Sequence, residues 1–101
     1  MENVYKFLDE YVGSKFAIHK TDSGSLKYKR YDVISENNIL IIFFYYRGDY
    51  LKIFRSEPLC ETVGRFFGLN SVEAMLLIKD WFGKKHNIKK LSDLLGYINE
   101  N

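Results

Sequence analysis

Three residue types that mark particular classes of protein are almost missing from this chain. Cysteine, proline and tryptophan occur once each among 101 residues. The lone Cys60 excludes an intramolecular disulfide, and small secreted domains usually depend on several. A chain of this length, without a proline-rich linker, is typical of one domain with one core. The sequence therefore predicts a single domain over residues 1–101, located in the reducing cytoplasm.

Long apolar runs are also missing. The longest uninterrupted one, Ile39 to Tyr46, is much shorter than the roughly 20 residues that a membrane-spanning helix requires. No basic segment followed by an apolar one opens the chain, as a secretory signal peptide would. We therefore expect neither a membrane segment nor secretion.

An excess of charge of either sign is missing as well. Fifteen Lys and Arg residues face 13 Asp and Glu residues, which gives a net charge of +2. A dedicated nucleic-acid-binding domain is usually more basic. What the chain does have is aromatic residues, at 17% of the sequence. Such side chains dominate the energetics of cores and interfaces, so they predict an aromatic core, a partner surface, or both.

The hydrophobic pattern predicts an α+β fold. Apolar residues recur at helical spacing first, then β-branched and aromatic segments alternate with turn residues, and helical spacing returns after Pro58. We expect an N-terminal helix, an antiparallel meander of three to four strands, and two to three C-terminal helices packed on the sheet. The helices are placed at 2–12, 59–67, 70–82 and 91–98, and the strands at 15–21, 26–34, 39–47 and 50–55.

The last two strands form the best-defined local unit. A two-residue turn at Gly48-Asp49 would pair Phe43 with Phe54 and Tyr45 with Lys52. One face of this hairpin would then carry Phe43, Tyr45, Arg47, Tyr50, Lys52 and Phe54. The other would carry Phe44, Tyr46, Leu51 and Ile53. Because the second set has no charged member, it is predicted to face the core, and the first to be exposed.

Residues for catalysis or metal binding do not cluster in the sequence. His19 and His86 lie far apart, and neither belongs to a zinc-binding motif. The carboxylates are scattered along the chain, without the convergent pair that acid–base chemistry needs. Cys60 is expected to be a buried structural thiol. The sequence therefore predicts a protein that is not an enzyme and has no metal or cofactor.

Two features point towards nucleic acid, each with a structural explanation. Gly64 and the segment 68–71 resemble the spacing of a helix-turn-helix, although a simple packing unit is favoured. Basic residues also alternate with aromatic ones at three places: the strand segment 27–31 (Lys27, Tyr28, Lys29, Arg30, Tyr31), the hairpin face with Tyr45, Arg47, Tyr50 and Lys52, and the group Lys84, Lys85, His86, Lys89 and Lys90. However, cations at a helix C-terminus also compensate its dipole, and an exposed strand often carries lysine to prevent edge pairing. A binding site for single-stranded nucleic acid combines aromatic residues, which stack on bases, with basic residues, which pair with phosphates.

We therefore expect a small non-catalytic binding or regulatory module that acts by protein–protein contact, as an inhibitor or accessory subunit does. The residue usage, rich in Lys, Asn, Ile, Tyr and Phe, suits an AT-rich genome such as that of a virus or mobile element. The alternative is a nucleic-acid-binding protein, and a homodimer is compatible with the leading hypothesis. The expected binding residues are Phe43, Tyr45, Arg47, Tyr50, Lys52, Phe54, Lys84, Lys85, Lys89 and Lys90.

Overall fold

The computed structural model describes residues 2–22, 24, 26–47, 50–88 and 90–100, apart from the side chains of 51–53 and 97–100. The predicted α+β fold is confirmed, with four strands and three C-terminal helices. In chain order the elements are α1 (Glu2–Tyr11), β1 (Phe16–Thr21), β2 (Tyr28–Ser35), β3 (Leu40–Tyr46), β4 (Tyr50–Arg55), α2 (Glu57–Phe67), α3 (Ser71–His86) and α4 (Leu91–Glu100).

The strands form one antiparallel sheet in the order β1-β2-β3-β4, so each strand pairs with its neighbour in the chain. The β2–β3 register sets Tyr31 opposite Phe43 and Arg30 opposite Phe44. In the β3–β4 pair, Phe43 lies opposite Phe54 as predicted, but a register shift follows between Phe44 and Tyr45. Tyr45 consequently pairs with Leu51 rather than Lys52. The predicted turn at Gly48-Asp49 lies outside the described residues.

Local chemistry explains where α2 and α3 begin and end. Gly68 ends α2 with a φ of 67°, a left-handed conformation that glycine adopts without strain. The predicted capping box is present: the Asn70 side chain accepts the backbone N–H of Glu73 at 2.8 Å, and the Glu73 carboxylate accepts that of Asn70 at 3.1 Å. α3 ends at His86, four residues beyond the predicted Phe82, and its C-cap residue Asn87 has a φ of 53°.

The turn between α2 and α3 explains why position 64, part of the helix-turn-helix-like spacing, is a glycine. The carbonyl oxygen of Gly64 accepts the backbone N–H of Leu69 at 3.0 Å. A Cβ atom on residue 64 would lie 2.7 Å from the Leu69 oxygen, so only glycine allows this approach. Packing of the two helices therefore explains the spacing without any contact to DNA.

The turn between β2 and β3 forms hydrogen bonds with the end of α1 and with the segment that follows it. The Glu36 carboxylate accepts the backbone N–H groups of Ser14 at 2.7 Å and Lys15 at 2.9 Å. These hydrogen bonds lower the pKa of Glu36. The side-chain amide of Asn37 donates to the carbonyl oxygens of Glu10 and Tyr11, which lie in the last turn of α1. One turn thus satisfies backbone groups at the helix end and in the segment that follows it.

Buried side chains from one face of the sheet pack with all the helices. Phe43 is 2% exposed, Tyr45 is 0% exposed and Phe54 is 5% exposed. The prediction that these three side chains form an exposed face is therefore wrong. Among the described residues, they share one buried cluster with Tyr31, Val33, Ile41, Leu8, Val63, Ile78, Phe82 and Leu94, among others.

Trp81 is buried as predicted, with 3% of its surface exposed. Its indole Nε1–H donates to the Asp9 carboxylate at 2.9 Å, and the Lys85 ammonium reaches the same oxygen atom at 2.6 Å. These two hydrogen bonds lower the pKa of Asp9, that from Lys85 more strongly. The network joins α3 to α1.

Within the described residues, no helix has both the length and the apolar character needed to cross a membrane.

Candidate functional site

The sheet has a second face, directed away from the buried cluster, that is rich in apolar and aromatic side chains. Strand alternation places there the neighbours of the buried residues. As far as the described residues go, these side chains belong neither to the buried cluster nor to the partly buried ones packed against it. We call this surface the outer face; its residues on β1, β2 and β3 are Ala17, His19, Thr21, Tyr28, Arg30, Asp32, Ile34, Leu40, Ile42, Phe44 and Tyr46.

The register of β2 and β3 orders the outer face into successive cross-strand pairs. At one end Tyr28 lies opposite Tyr46, with their ring centroids 5.4 Å apart. The pairs Arg30–Phe44 and Asp32–Ile42 follow, and Ile34–Leu40 completes the series at the other end. The outer face therefore has an aromatic end and an aliphatic end, separated by a cation and an anion.

The two charges in the middle of the outer face bind each other. The Arg30 guanidinium donates to both carboxylate oxygens of Asp32, at 2.8 and 3.2 Å. This bidentate contact raises the pKa of Arg30 and fixes the geometry of both side chains. The same guanidinium lies 5.9 Å from the centroid of the Phe44 ring. Arg30 thus combines an ion pair with a cation–π contact.

The predicted hairpin residues are divided between several environments. Phe43, Tyr45 and Phe54 are buried, as described above. Arg47 is exposed and lies 5.1 Å from the centroid of the Tyr46 ring. Tyr50 is 65% exposed. The Lys52 side chain and Lys89 lie outside the described part of the chain. Sequence reasoning assigned Phe44 and Tyr46 to the core, although they lie on the outer face.

The predicted lysines near the end of α3 form ion pairs within the chain. Lys84 lies 3.1 Å from the Asp80 carboxylate, and Lys85 contacts Asp9. Asp80 raises the pKa of Lys84 and also accepts a hydrogen bond from the Tyr5 hydroxyl. Both lysines lie in the last turn of α3, where cations compensate the helix dipole. Because α3 packs on the buried face, they do not adjoin the outer face.

A cleft of about 960 Å³ between β4 and α3 brings several predicted residues together. Phe43, Tyr50, Phe54, Lys84 and Lys90 all line it.

A second cleft, of about 760 Å³, is lined by residues of β4, α2 and α3 that include Cys60. Burial raises the pKa of the Cys60 thiol and so disfavours the reactive thiolate. In the described part of the chain, no cluster of three or more His, Cys, Asp or Glu residues forms a candidate metal site.

His86 gives a testable pH dependence. Its ring packs on Phe16, with centroids 4.7 Å apart, and desolvation followed by the Lys85 charge lowers its pKa. Below about pH 6.5 the unfolded chain then binds a proton that the folded chain does not. We expect the free energy of unfolding to fall as the pH is lowered from about 7 towards 5, measured by urea titration.

His86→Phe is the matched variant, because it keeps a ring against Phe16 but removes the titrating group. It should abolish the decline between about pH 7 and 5 and leave the decline at lower pH, which comes from carboxylates such as Asp9 and Glu36. An unchanged slope in the variant would show that another group causes it.

Comparisons with known proteins add no relationship to this geometry: no family model matches the chain, and neither curated proteins nor solved structures gave a match.

Proposed function

We propose that this chain is a non-catalytic binding module that contacts another protein through its outer face. The observation that carries the proposal is the row of apolar side chains along β3, Leu40, Ile42, Phe44 and Tyr46, on a sheet face that the described helices do not cover. Leu40 is 41% exposed and Ile34 is 36% exposed at its aliphatic end. Contiguous apolar patches of this kind usually mark interaction sites.

The internal ion pair favours a protein over a nucleic acid as the partner. Binding a single strand requires cations directed at phosphates and ring faces open to stacking bases. Here the adjacent Asp32 carboxylate neutralises Arg30 and would repel a phosphate, Arg47 lies over the Tyr46 ring, and the aliphatic end has no ring to offer. A row of apolar side chains beside two charges that pair with each other is more typical of a protein–protein interface.

A module of this kind regulates by covering a surface of its partner, as an inhibitor or accessory subunit does. No catalytic group is required for that role. The cytoplasm is the compartment we propose, and a viral or mobile-element origin is the context that the composition favours.

The proposal is tested by comparing Leu40→Lys with the wild type and with Val72→Lys. Both positions are exposed, at 41% and 60%, but Val72 lies on α3 and not on the outer face. Each chain is immobilised and exposed to host lysate, with and without nuclease, and the affinity for the retained protein is then measured. We expect Leu40→Lys to weaken binding at least tenfold, because it places a charge in the aliphatic end of the outer face, and Val72→Lys to leave it unchanged.

A nucleic-acid-binding protein would behave differently in the same experiment. Binding that disappears with nuclease, and that weakens steeply with salt for purified DNA or RNA, would indicate phosphate contacts. That result, or protein binding unaffected by Leu40→Lys, would contradict the proposal.

A further inference from the structure

The outer face is complementary to itself. We propose that the protein it binds is a second copy of this chain, an inference that rests on the proposed function. The two sheets pack face to face around a two-fold axis that lies in the interface, perpendicular to the strands and level with the Tyr31–Phe43 pair. Such an axis reverses the strand direction and therefore exchanges the two ends of the outer face.

Charge complementarity is the first argument for this partner. The rotation brings Arg30 of one copy over Asp32 of the other, and the reverse contact forms at the same time. A guanidinium has five N–H donors in a planar fork, and the contact with its own Asp32 uses Nε and Nη2. The remaining donors suit the carboxylate of the second copy. The four charges then alternate in sign around the axis, which avoids two like charges in contact.

Apolar complementarity is the second argument. The same rotation places the aromatic pair Tyr28–Tyr46 of one copy over the aliphatic pair Ile34–Leu40 of the other. Phe44 then meets Ile42. Two sheets packed in this way form an aligned β-sandwich, whose layers lie about 10 Å apart and fill with side chains. Every apolar pair of the outer face thus gains an apolar partner from one operation.

The size of the face sets the expected strength. β3 has seven residues, and a sheet of four strands at the usual spacings covers roughly 400 Å² on one face. Two such faces together give roughly 800 Å², which is below the roughly 1,200 Å² of a standard specific interface and in the range of weak, transient contacts. We therefore expect a reversible dimer with a dissociation constant in roughly the micromolar range.

The test uses Arg30→Asp, Asp32→Arg and the double swap that combines them, each studied by analytical ultracentrifugation over a concentration series. In either single variant the charges around the axis all have one sign, so we expect dimerisation to weaken about 100-fold or more. The double swap keeps the pair within each chain and the contacts between copies, and it should dimerise like the wild type.

The mixture of the two single variants separates an interface from a merely structural effect. Arg30→Asp presents negative charges and Asp32→Arg positive ones, so mixing should restore a heterodimer with about the affinity of the wild type. Circular dichroism checks that each chain is folded. Should a single variant not fold, Leu40→Lys replaces it and is expected to be monomeric.

Each remaining outcome decides the matter. A wild type that stays monomeric throughout the series would overturn the second copy as the partner, and single variants that dimerise as well as the wild type would overturn the outer face as the dimer interface. If the monomeric chain still retained a host protein that Leu40→Lys loses, the proposed function would stand and this inference alone would fail. Loss of neither host protein nor dimer on changing Leu40 would overturn both.

Discussion

Replacing Phe43 with alanine is expected to lower the free energy of unfolding by about 3–5 kcal/mol, whereas Phe44→Ala should cost about 1 kcal/mol. The Phe43 ring is buried and lies 5.2 Å from the rings of both Phe54 and Phe82. Its removal leaves a cavity that the neighbouring rings cannot fill. Phe44, its neighbour in β3, points to the outer face. Urea unfolding monitored by circular dichroism measures both values.

The two variants replace the same residue type at adjacent positions of one strand, so the main difference between them is the sheet face that each one modifies. The measurement is made at concentrations where the chain is monomeric, because a dimer that covers Phe44 would raise its apparent contribution. Equal costs for the two substitutions at low concentration would mean that another part of the chain covers the outer face. Phe44→Ala should in addition weaken self-association, and Phe43→Ala should not do so selectively.

Trp81→Ala is expected to be equally costly, at about 3–5 kcal/mol, and in so small a protein that is a large part of the total stability. The substitution removes a buried indole and also takes from Asp9 one of its two donors. Lys85 remains to bind the carboxylate, so the loss is dominated by the cavity. Thermal and urea unfolding followed by circular dichroism give the change in stability.

Trp81→Phe separates the cavity from the hydrogen bond. It retains most of the ring volume but cannot donate to Asp9, so we expect a loss of roughly 1–3 kcal/mol, the net contribution of one hydrogen bond to a charged group together with a smaller packing term. The wild type should have blue-shifted fluorescence that external quenchers barely affect. Red-shifted, readily quenched emission would contradict the burial of Trp81 and with it both expected losses.

Much of the fold could be predicted from the sequence because its signals are local. The capping box needs only Asn70 and Glu73, three residues apart, and the left-handed end of α2 needs a glycine at position 68. Alternation and turn residues located each strand to within about two residues. The end of α3 was missed because Gly83 and the basic residues after it do not interrupt a helix that already packs on the sheet.

The orientation of the sheet could not be predicted in the same way. Both alternating sets of β3 side chains are apolar, so composition does not show which set the helices cover. Because the prediction assigns Arg47 and Lys52 to the face that carries Phe43, it wrongly places that face at the surface. The register shift at Tyr45 is part of the reason: it pairs Tyr45 with Leu51 and removes Lys52 from the opposing position. A shift of one residue in one strand changes which side chains share a face.

The contacts of the β2–β3 turn also constrain the order in which the chain becomes structured. The carbonyl groups of Glu10 and Tyr11 are satisfied by Asn37, which is synthesised more than 20 residues later. A short isolated helix is marginal in water, so α1 gains little persistence until the hairpin that caps it has formed. α1 is thus synthesised first but is not stably formed until the β2–β3 hairpin is in place. Its ordering is coupled to closure of the central hairpin, and the two should open together as one cooperative unit.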